Sequence, residues 1–207
     1  MTRPSVDLRS AFGEIDIYLF DQIARGHFDR RRRVLDAGCG DGRNLVFFLK
    51  NGFTCFGIDR DETAVSQVRT LAARLAPAAS AGHFVTGELD ELPWPDGSMN
   101  AVIASAVLHF VRDEPHFARI VHELWRVLAP EGLLFARLAS SIGLESVLGS
   151  VAGTRVSLPD GSVRFVVDQA MLLDWTLRLG GRLVDPIKTT NVQGQRCMTT
   201  WCVEKRA

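Results

Sequence analysis

The segment Val34-Leu35-Asp36-Ala37-Gly38-Cys39-Gly40-Asp41-Gly42-Arg43-Asn44 decides the reading of this chain. An apolar run enters three glycines at alternate positions, and a helix-like stretch follows. Glycine reaches φ > 0 and lets a backbone come close to a ligand. On either side, strand-like runs at 33–36, 53–58, 83–86, 101–105 and 133–137 alternate with helix-like stretches at 45–50, 62–75 and 115–128. Pro130-Glu131-Gly132 stops the last of these helices. Alternating βα units predict a parallel sheet with helices on both faces. The last third changes character. A strand-like segment at 164–167 precedes a helix at 169–179, with Asp168 as its N-cap and Gly180-Gly181 at its end. Runs near 183–189 and 198–204 follow, too close for a helix between them, so they are expected to pair antiparallel at the sheet edge.

Two ligands suit a strand, glycine loop and helix: a dinucleotide or an S-adenosyl sulfonium nucleoside. The dinucleotide fingerprint G-x-G-x-x-G needs a third glycine for close helix packing. Counted from Gly38 that position is Arg43, and from Gly40 it is Leu45. The phosphate loop G-x-x-x-x-G-K-[ST] is absent too. Asp36 would repel a pyrophosphate but suits a ligand carrying an ammonium and a sulfonium. Asp59 lies 21 residues after Gly38 at the end of the second strand. A carboxylate there can accept from two ribose hydroxyls in either ligand class, or simply cap the helix at Glu62.

The 207 residues fit one domain, with 46% hydrophobic and 23% charged residues. Lys+Arg and Asp+Glu both number 24, which argues against a nucleic-acid binder. No run approaches the roughly 18 apolar residues of a membrane span, and no apolar signal core opens the chain, so no membrane partner and a cytoplasmic location are expected. Cys39, Cys55, Cys197 and Cys202 form no CxxC pair; free, mostly buried thiols and no metal site are expected. The run Arg30–Arg33 reads as a solvated loop.

The glycine segment resembles the first motif of class I S-adenosylmethionine-dependent methyltransferases. The likeness continues in Gly57-Ile58-Asp59-Arg60, in the segment 87–100 from Gly87-Glu88-Leu89 onward, in Ser105-Ala106-Val107-Leu108-His109, and in 123–132 ending Pro130-Glu131-Gly132. Gly42-Arg43-Asn44 is similar to tellurite-resistance-type and other small-molecule members. The resemblance implies a Rossmann-like seven-stranded α/β sheet, order 3-2-1-4-5-7-6 with strand 7 antiparallel. It implies a single domain over 1–207: a helical lid at 1–30, a cofactor-binding core at 31–138, and an acceptor-side segment with a terminal hairpin at 139–207. Its cofactor would be S-adenosylmethionine, with S-adenosylhomocysteine as product and a small molecule as acceptor. By the same resemblance the loop Gly38, Cys39, Gly40 to Asn44 approaches the methionine moiety, and Asp36 holds its ammonium. Asp59 takes the ribose hydroxyls, Arg60 packs beside the adenine, and Glu88 with the N–H of Leu89 reads the adenine edge. Ser105 and Leu108 line the floor near the sulfonium. The family more often has Asp at the place of Glu88.

A sulfonium methyl is already activated, so aligning the acceptor can supply most of the acceleration. A base is needed only where the acceptor must lose a proton. His109 is the candidate, with packing beneath the cofactor as its other reading. Tyr18, the one tyrosine, lies ahead of the first strand, where such chains carry a helical lid. Arg137 ends the fifth strand and could meet an acidic substrate, or pair with Asp36 or Glu123. Arg196, in the 191–196 segment, and the 140–143 segment are further acceptor-side candidates. A non-catalytic S-adenosylmethionine-binding module and a nicotinamide-dependent oxidoreductase are the competing functions.

Overall fold

The computed structural model describes residues 7–78 and 81–207. Helices α1 (Leu8–Phe12) and α2 (Ile17–Ala24) precede strand β1 (Arg33–Ala37). The core continues as α3 (Val46–Lys50), β2 (Thr54–Asp59), α4 (Glu62–Leu75), β3 (Phe84–Thr86), β4 (Met99–Ser105), α5 (Glu114–Val127) and β5 (Leu128–Ser140). Next come α6 (Glu145–Leu148), β6 (Thr154–Ser157), β7 (Val163–Val166), α7 (Gln169–Arg178), β8 (Gly181–Leu183), β9 (Lys188–Val192) and β10 (Arg196–Lys205).

The main sheet runs β3-β2-β1-β4-β5-β10-β8, with β9 also on β10. Strands β1 to β5 are mutually parallel, and β10 is antiparallel to β5 and β8. This is the expected Rossmann-like order, with β10 as the antiparallel seventh strand. Its two faces bury separate cores. Leu35 and Ala37 of β1 join Ile120, Leu124 and Trp175 on one face. Val34 and Cys39 join Leu19, Phe48, Val65 and Val68 on the other. Carboxylate caps set the helix starts: Asp61 accepts from Thr63 N–H, Asp113 from His116 N–H, and Asp168 from Met171 N–H. The four cysteines are buried free thiols.

The differences from the sequence reading have local causes. The fifth strand is longer than 133–137 because Pro130-Glu131-Gly132 is a bulge inside it. Met99 pairs with Leu128 and Ala101 with Leu133, while Glu131 takes φ +60°. Gly132 is required there, since a Cβ would meet Leu128 Cγ at 2.6 Å. The expected strand at 183–189 is two short strands, β8 and β9, separated around Pro186, which has no N–H to give a ladder. The 191–196 segment shrinks to a tight hairpin, with Gln193 at φ +50° and Gly194 at φ +67°. The segment expected at 164–167 is β7, paired with β6 in a separate hairpin that hangs from the end of β5 through a Ser140–Val167 bridge. The arginine run is anchored as well as solvated. Arg31 pairs with Glu204 at 2.6 Å, and Arg32 and Arg33 lie over Phe53 and Phe56.

Trp201 of β10 is fully buried, and its indole N–H donates to Thr176 Oγ1 at 2.9 Å. Thr176→Val keeps the volume and removes the acceptor, leaving a buried donor unpaired at a cost of about 1–3 kcal/mol. The expected result is a fall in Tm of about 2–4 °C per kcal/mol for a chain of this size, read by calorimetry.

Candidate functional site

The carboxyl ends of β1, β2, β3 and β4 converge on a cleft of about 250 Å³ lined by Gly38, Asp59, Arg60, Glu88, Leu89, Val107 and Phe110 among others. Its back wall is the glycine loop. Gly38 stands at φ +76°, and a Cβ on it would meet Val107 Cγ2 at 2.6 Å. The loop is fastened to β2 by Gly38 N–H and Cys39 N–H, which donate to Ile58 C=O at 2.8 and 3.1 Å. Gly40 N–H donates to Asp59 Oδ2 at 2.9 Å and Asp61 N–H to Oδ1 at 3.0 Å. Each Asp59 oxygen keeps acceptor capacity toward the cleft. The helix cap is Asp61, so Asp59 does not serve that purpose.

The floor contains an irregularity with no signature in the sequence. Ala106, just beyond β4, has φ +59°, and its N–H donates to Arg137 C=O at 2.7 Å. Strained non-glycine backbone of this kind collects at functional sites. The rim segment after β3 is clamped by α5. Arg126 donates to Leu92 C=O and Trp94 C=O, while Glu123 accepts from Leu92 N–H and is held below the usual carboxylate range by Arg126. That clamp explains why 87–100 and 123–126 matter together.

Asp36 lies at the base of the loop, 1% exposed, with both carboxylate oxygens unpaired. Burial pushes its pKa up to about 8, reinforced by Asp59 and Asp41 and opposed by Arg43. A cation arriving at the loop would give that carboxylate the partner it lacks.

A second cavity of about 240 Å³ lies past the 3-10 turn Leu108–Phe110. Its lining includes His109, Arg137, Asp160, Arg164, Arg196 and Met198. Three residues singled out on the acceptor side of the sequence, His109, Arg137 and Arg196, therefore meet here. Phe110, beside His109 with ring centroids 4.5 Å apart, faces the first cleft. His109 is buried, its Nδ1 is unpaired, and its pKa falls to about 4 through burial, then through Arg164 and Arg137. It is neutral at pH 7.

Asp16 closes this end of the sheet. Its Oδ2 accepts from Ser105 Oγ and from Arg137 Nη1, both at 3.1 Å. Its Oδ1 caps α2 by accepting from Tyr18 N–H and Leu19 N–H. Its own N–H donates to Asn44 Oδ1 at 3.0 Å. Arg137 also lies over the Tyr18 ring, and the Tyr18 hydroxyl bonds to Thr190. The partner of Arg137 is thus neither Asp36 nor Glu123.

Five of the cofactor candidates line the first cleft: Gly38, Asp59, Arg60, Glu88 and Leu89. Cys39 points into the core and Gly40 braces Asp59. Asn44 and Ser105 bond to Asp16, and Leu108 is packed in the core. The 140–143 segment is structural: Ser140 accepts from Thr199, and Ser141 N–H donates to Val167 C=O. Sequence reasoning missed Asp16, Ala106, Phe110, Asp160 and Arg164. His116 also lines the first cleft. Asp16 alone carried a signal, as an acidic residue directly before the apolar Ile17-Tyr18-Leu19.

Residues 35–136 match the family model of the methyltransferase domain. The segment 35–136 is thus a methyltransferase domain. A probable S-adenosylmethionine-dependent methyltransferase of Mycobacterium tuberculosis is 34% identical over 111 residues, which cover 54% of this chain and 37% of the relative. The chain thus spans little more than a third of that relative's length. The methyltransferase fold is shared with the 1,6-didemethyltoxoflavin-N1-methyltransferase of Burkholderia thailandensis, with a TM-score of 0.71 at 17% identity over 97% of this chain and 82% of that one. It is shared also with the [4+2]-cyclase SpnF, with a TM-score of 0.68 at 18% identity over 90% and 82%. Architecture alone therefore does not fix the reaction.

Asp16 is 5% exposed and neutralises Arg137 while capping a helix. Asp16→Ala strands the guanidinium and removes the cap, at a cost of roughly 3 kcal/mol or more. Urea denaturation should show that loss. The double variant Asp16→Ala/Arg137→Met should recover part of it, because no uncompensated charge remains.

Proposed function

We propose that this protein transfers a methyl group from S-adenosylmethionine to a small-molecule acceptor. The observation that carries the reading is the joining of the glycine loop to Asp59 on the wall of the first cleft, with the unpaired Asp36 at the loop's base. Both features fit the group. Glycines at alternate positions permit close approach of the backbone, and an orphaned carboxylate suits an ammonium. S-adenosylmethionine, when bound, supplies a sulfonium-activated methyl.

The chain's own residues then have separable tasks. Asp36 holds the ammonium. Asp59, oriented by two backbone N–H groups, accepts from the ribose hydroxyls. Arg60, Glu88 and Leu89 bound the adenine side of the cleft. Phe110 and Val107 give the cleft an apolar flank. The alignment of acceptor and methyl is the main catalytic contribution. His109, neutral and weakly basic, is a positioning group before it is a base. A relative and a neighbour bearing methyltransferase names support the reading. The cyclase that shares the fold is the reason to test turnover apart from binding.

Calorimetric titration with S-adenosylmethionine and S-adenosylhomocysteine, with NADH and NADPH as controls, tests the assignment. Saturable binding of the first two alone is expected. Binding of a nicotinamide instead would move the protein to the oxidoreductases. Asp59→Ala should weaken S-adenosylhomocysteine binding by about 1.5–3 kcal/mol, roughly ten- to a hundredfold, for each charge-assisted bond lost.

The Asp36 carboxyl generates a pH dependence. Its pKa near 8 in the ligand-free protein means that it is mostly protonated at pH 7 and must lose that proton to pair with an ammonium. Affinity should therefore rise with pH, by about tenfold per unit at the acid end, and flatten above pH 8. The raised pKa also has a sign for stability. The ligand-free fold binds a proton that the unfolded chain has lost, so Asp36 lowers stability progressively from about pH 4 to pH 8. Asp36→Asn should flatten both profiles and weaken ligand binding at pH 8.

A further inference from the structure

Resting on the methyl-transfer reading, one further assignment follows from the second cavity. We propose that this cavity is the acceptor site and that the acceptor carries a single carboxylate, held between Arg164 and Arg137.

The place is right for an acceptor. The cavity shares the turn Leu108–Phe110 with the cofactor cleft, His109 facing one side and Phe110 the other. Arg137 sits opposite Ser105 in the β4–β5 register, at the carboxyl ends of the strands, where open α/β sheets bind ligands.

The charge balance selects the ligand. Three guanidinium groups line the cavity: Arg137, Arg164 and Arg196. Arg137 is paired with Asp16, and Arg196 lies 3.4 Å from Asp160, the one lining carboxylate. Arg164 has no carboxylate partner among the described residues; it rests on the Phe110 ring and donates to its neighbour's carbonyl. One positive charge is left over. The Arg137 Nε is buried and unpaired, a donor whose desolvation nothing yet offsets. His109 is neutral and adds no charge. A monoanion with planar, two-oxygen geometry meets both needs, since guanidinium forks match carboxylates. A phosphate dianion would exceed the charge on offer. Ala139, Leu158, Val192 and Met198 give the rest of the acceptor an apolar wall.

The test is a titration of the S-adenosylhomocysteine complex with octanoate and benzoate, against octanamide, benzamide and phenyl phosphate. At least one carboxylate should bind saturably, and its amide should not. Arg164→Gln should weaken that carboxylate at least fivefold. Arg178→Gln, which alters a surface arginine of α7 paired with Asp174, should leave it unchanged. Retained S-adenosylhomocysteine binding and an unchanged circular dichroism spectrum would show that Arg164→Gln is folded. The assignment fails if neither carboxylate saturates, if amides bind equally well, if Arg164→Gln has no effect, or if phenyl phosphate binds more tightly than both carboxylates. Carboxylate binding by a parent protein that binds neither S-adenosyl ligand would sink the methyl-transfer reading and leave the anion site standing. The reverse result would sink the anion site alone.

Discussion

The carboxylate of Asp16 holds the working end of this molecule together. Parallel strands end in loops at their carboxyl edge, and those loops have few ladder bonds to fix them. Asp16 supplies the missing order from one buried group. It bonds to β4 through Ser105, to β5 through Arg137, and to the first turn of α2 through its cap, and its N–H reaches Asn44 beyond the glycine loop. A charge this deep survives only because every oxygen is engaged and the guanidinium is adjacent. With it in place, α2 becomes part of the core, as the full burial of Leu19 shows.

The two carboxylates near the strand ends illustrate opposite solutions to one problem. Asp16 is satisfied by protein groups and does structural work. Asp36 is as deeply buried and has no partner at all. The fold tolerates that because the group can take up a proton. Functional sites commonly store such local cost.

Much of this was legible in the residues themselves. The βα alternation, the glycine loop and the Asp168 cap depend on neighbours in sequence, and the structure places them where local rules put them. The strand order came from resemblance to a family, since no local pattern encodes which strand lies beside which. What local pattern could not show shares a physical cause. Ser105 and Asn44 sit in motifs beside a ligand-binding loop, yet their polar atoms are claimed by a residue dozens of positions away. The bulge at Glu131 looked like a helix stop because proline and glycine punctuate both. Arg164 and Asp160 were silent, because an arginine in a short strand and an aspartate in a turn have no periodicity that announces a cavity.

The chain is neutral overall, and that neutrality is an average over two fields. Around the glycine loop and cleft Asp41, Asp59 and Glu88 outnumber Arg43 and Arg60, and across the Phe110 turn Arg137, Arg164 and Arg196 outnumber Asp16 and Asp160. The mouth of the protein is therefore a short electric dipole laid along the path between its two cavities. Such a field acts before contact: it draws a cationic molecule to one side and an anionic molecule to the other, and it repels each from the wrong berth. Sorting of this kind costs no extra contact area, and it fades as ions in solution screen it.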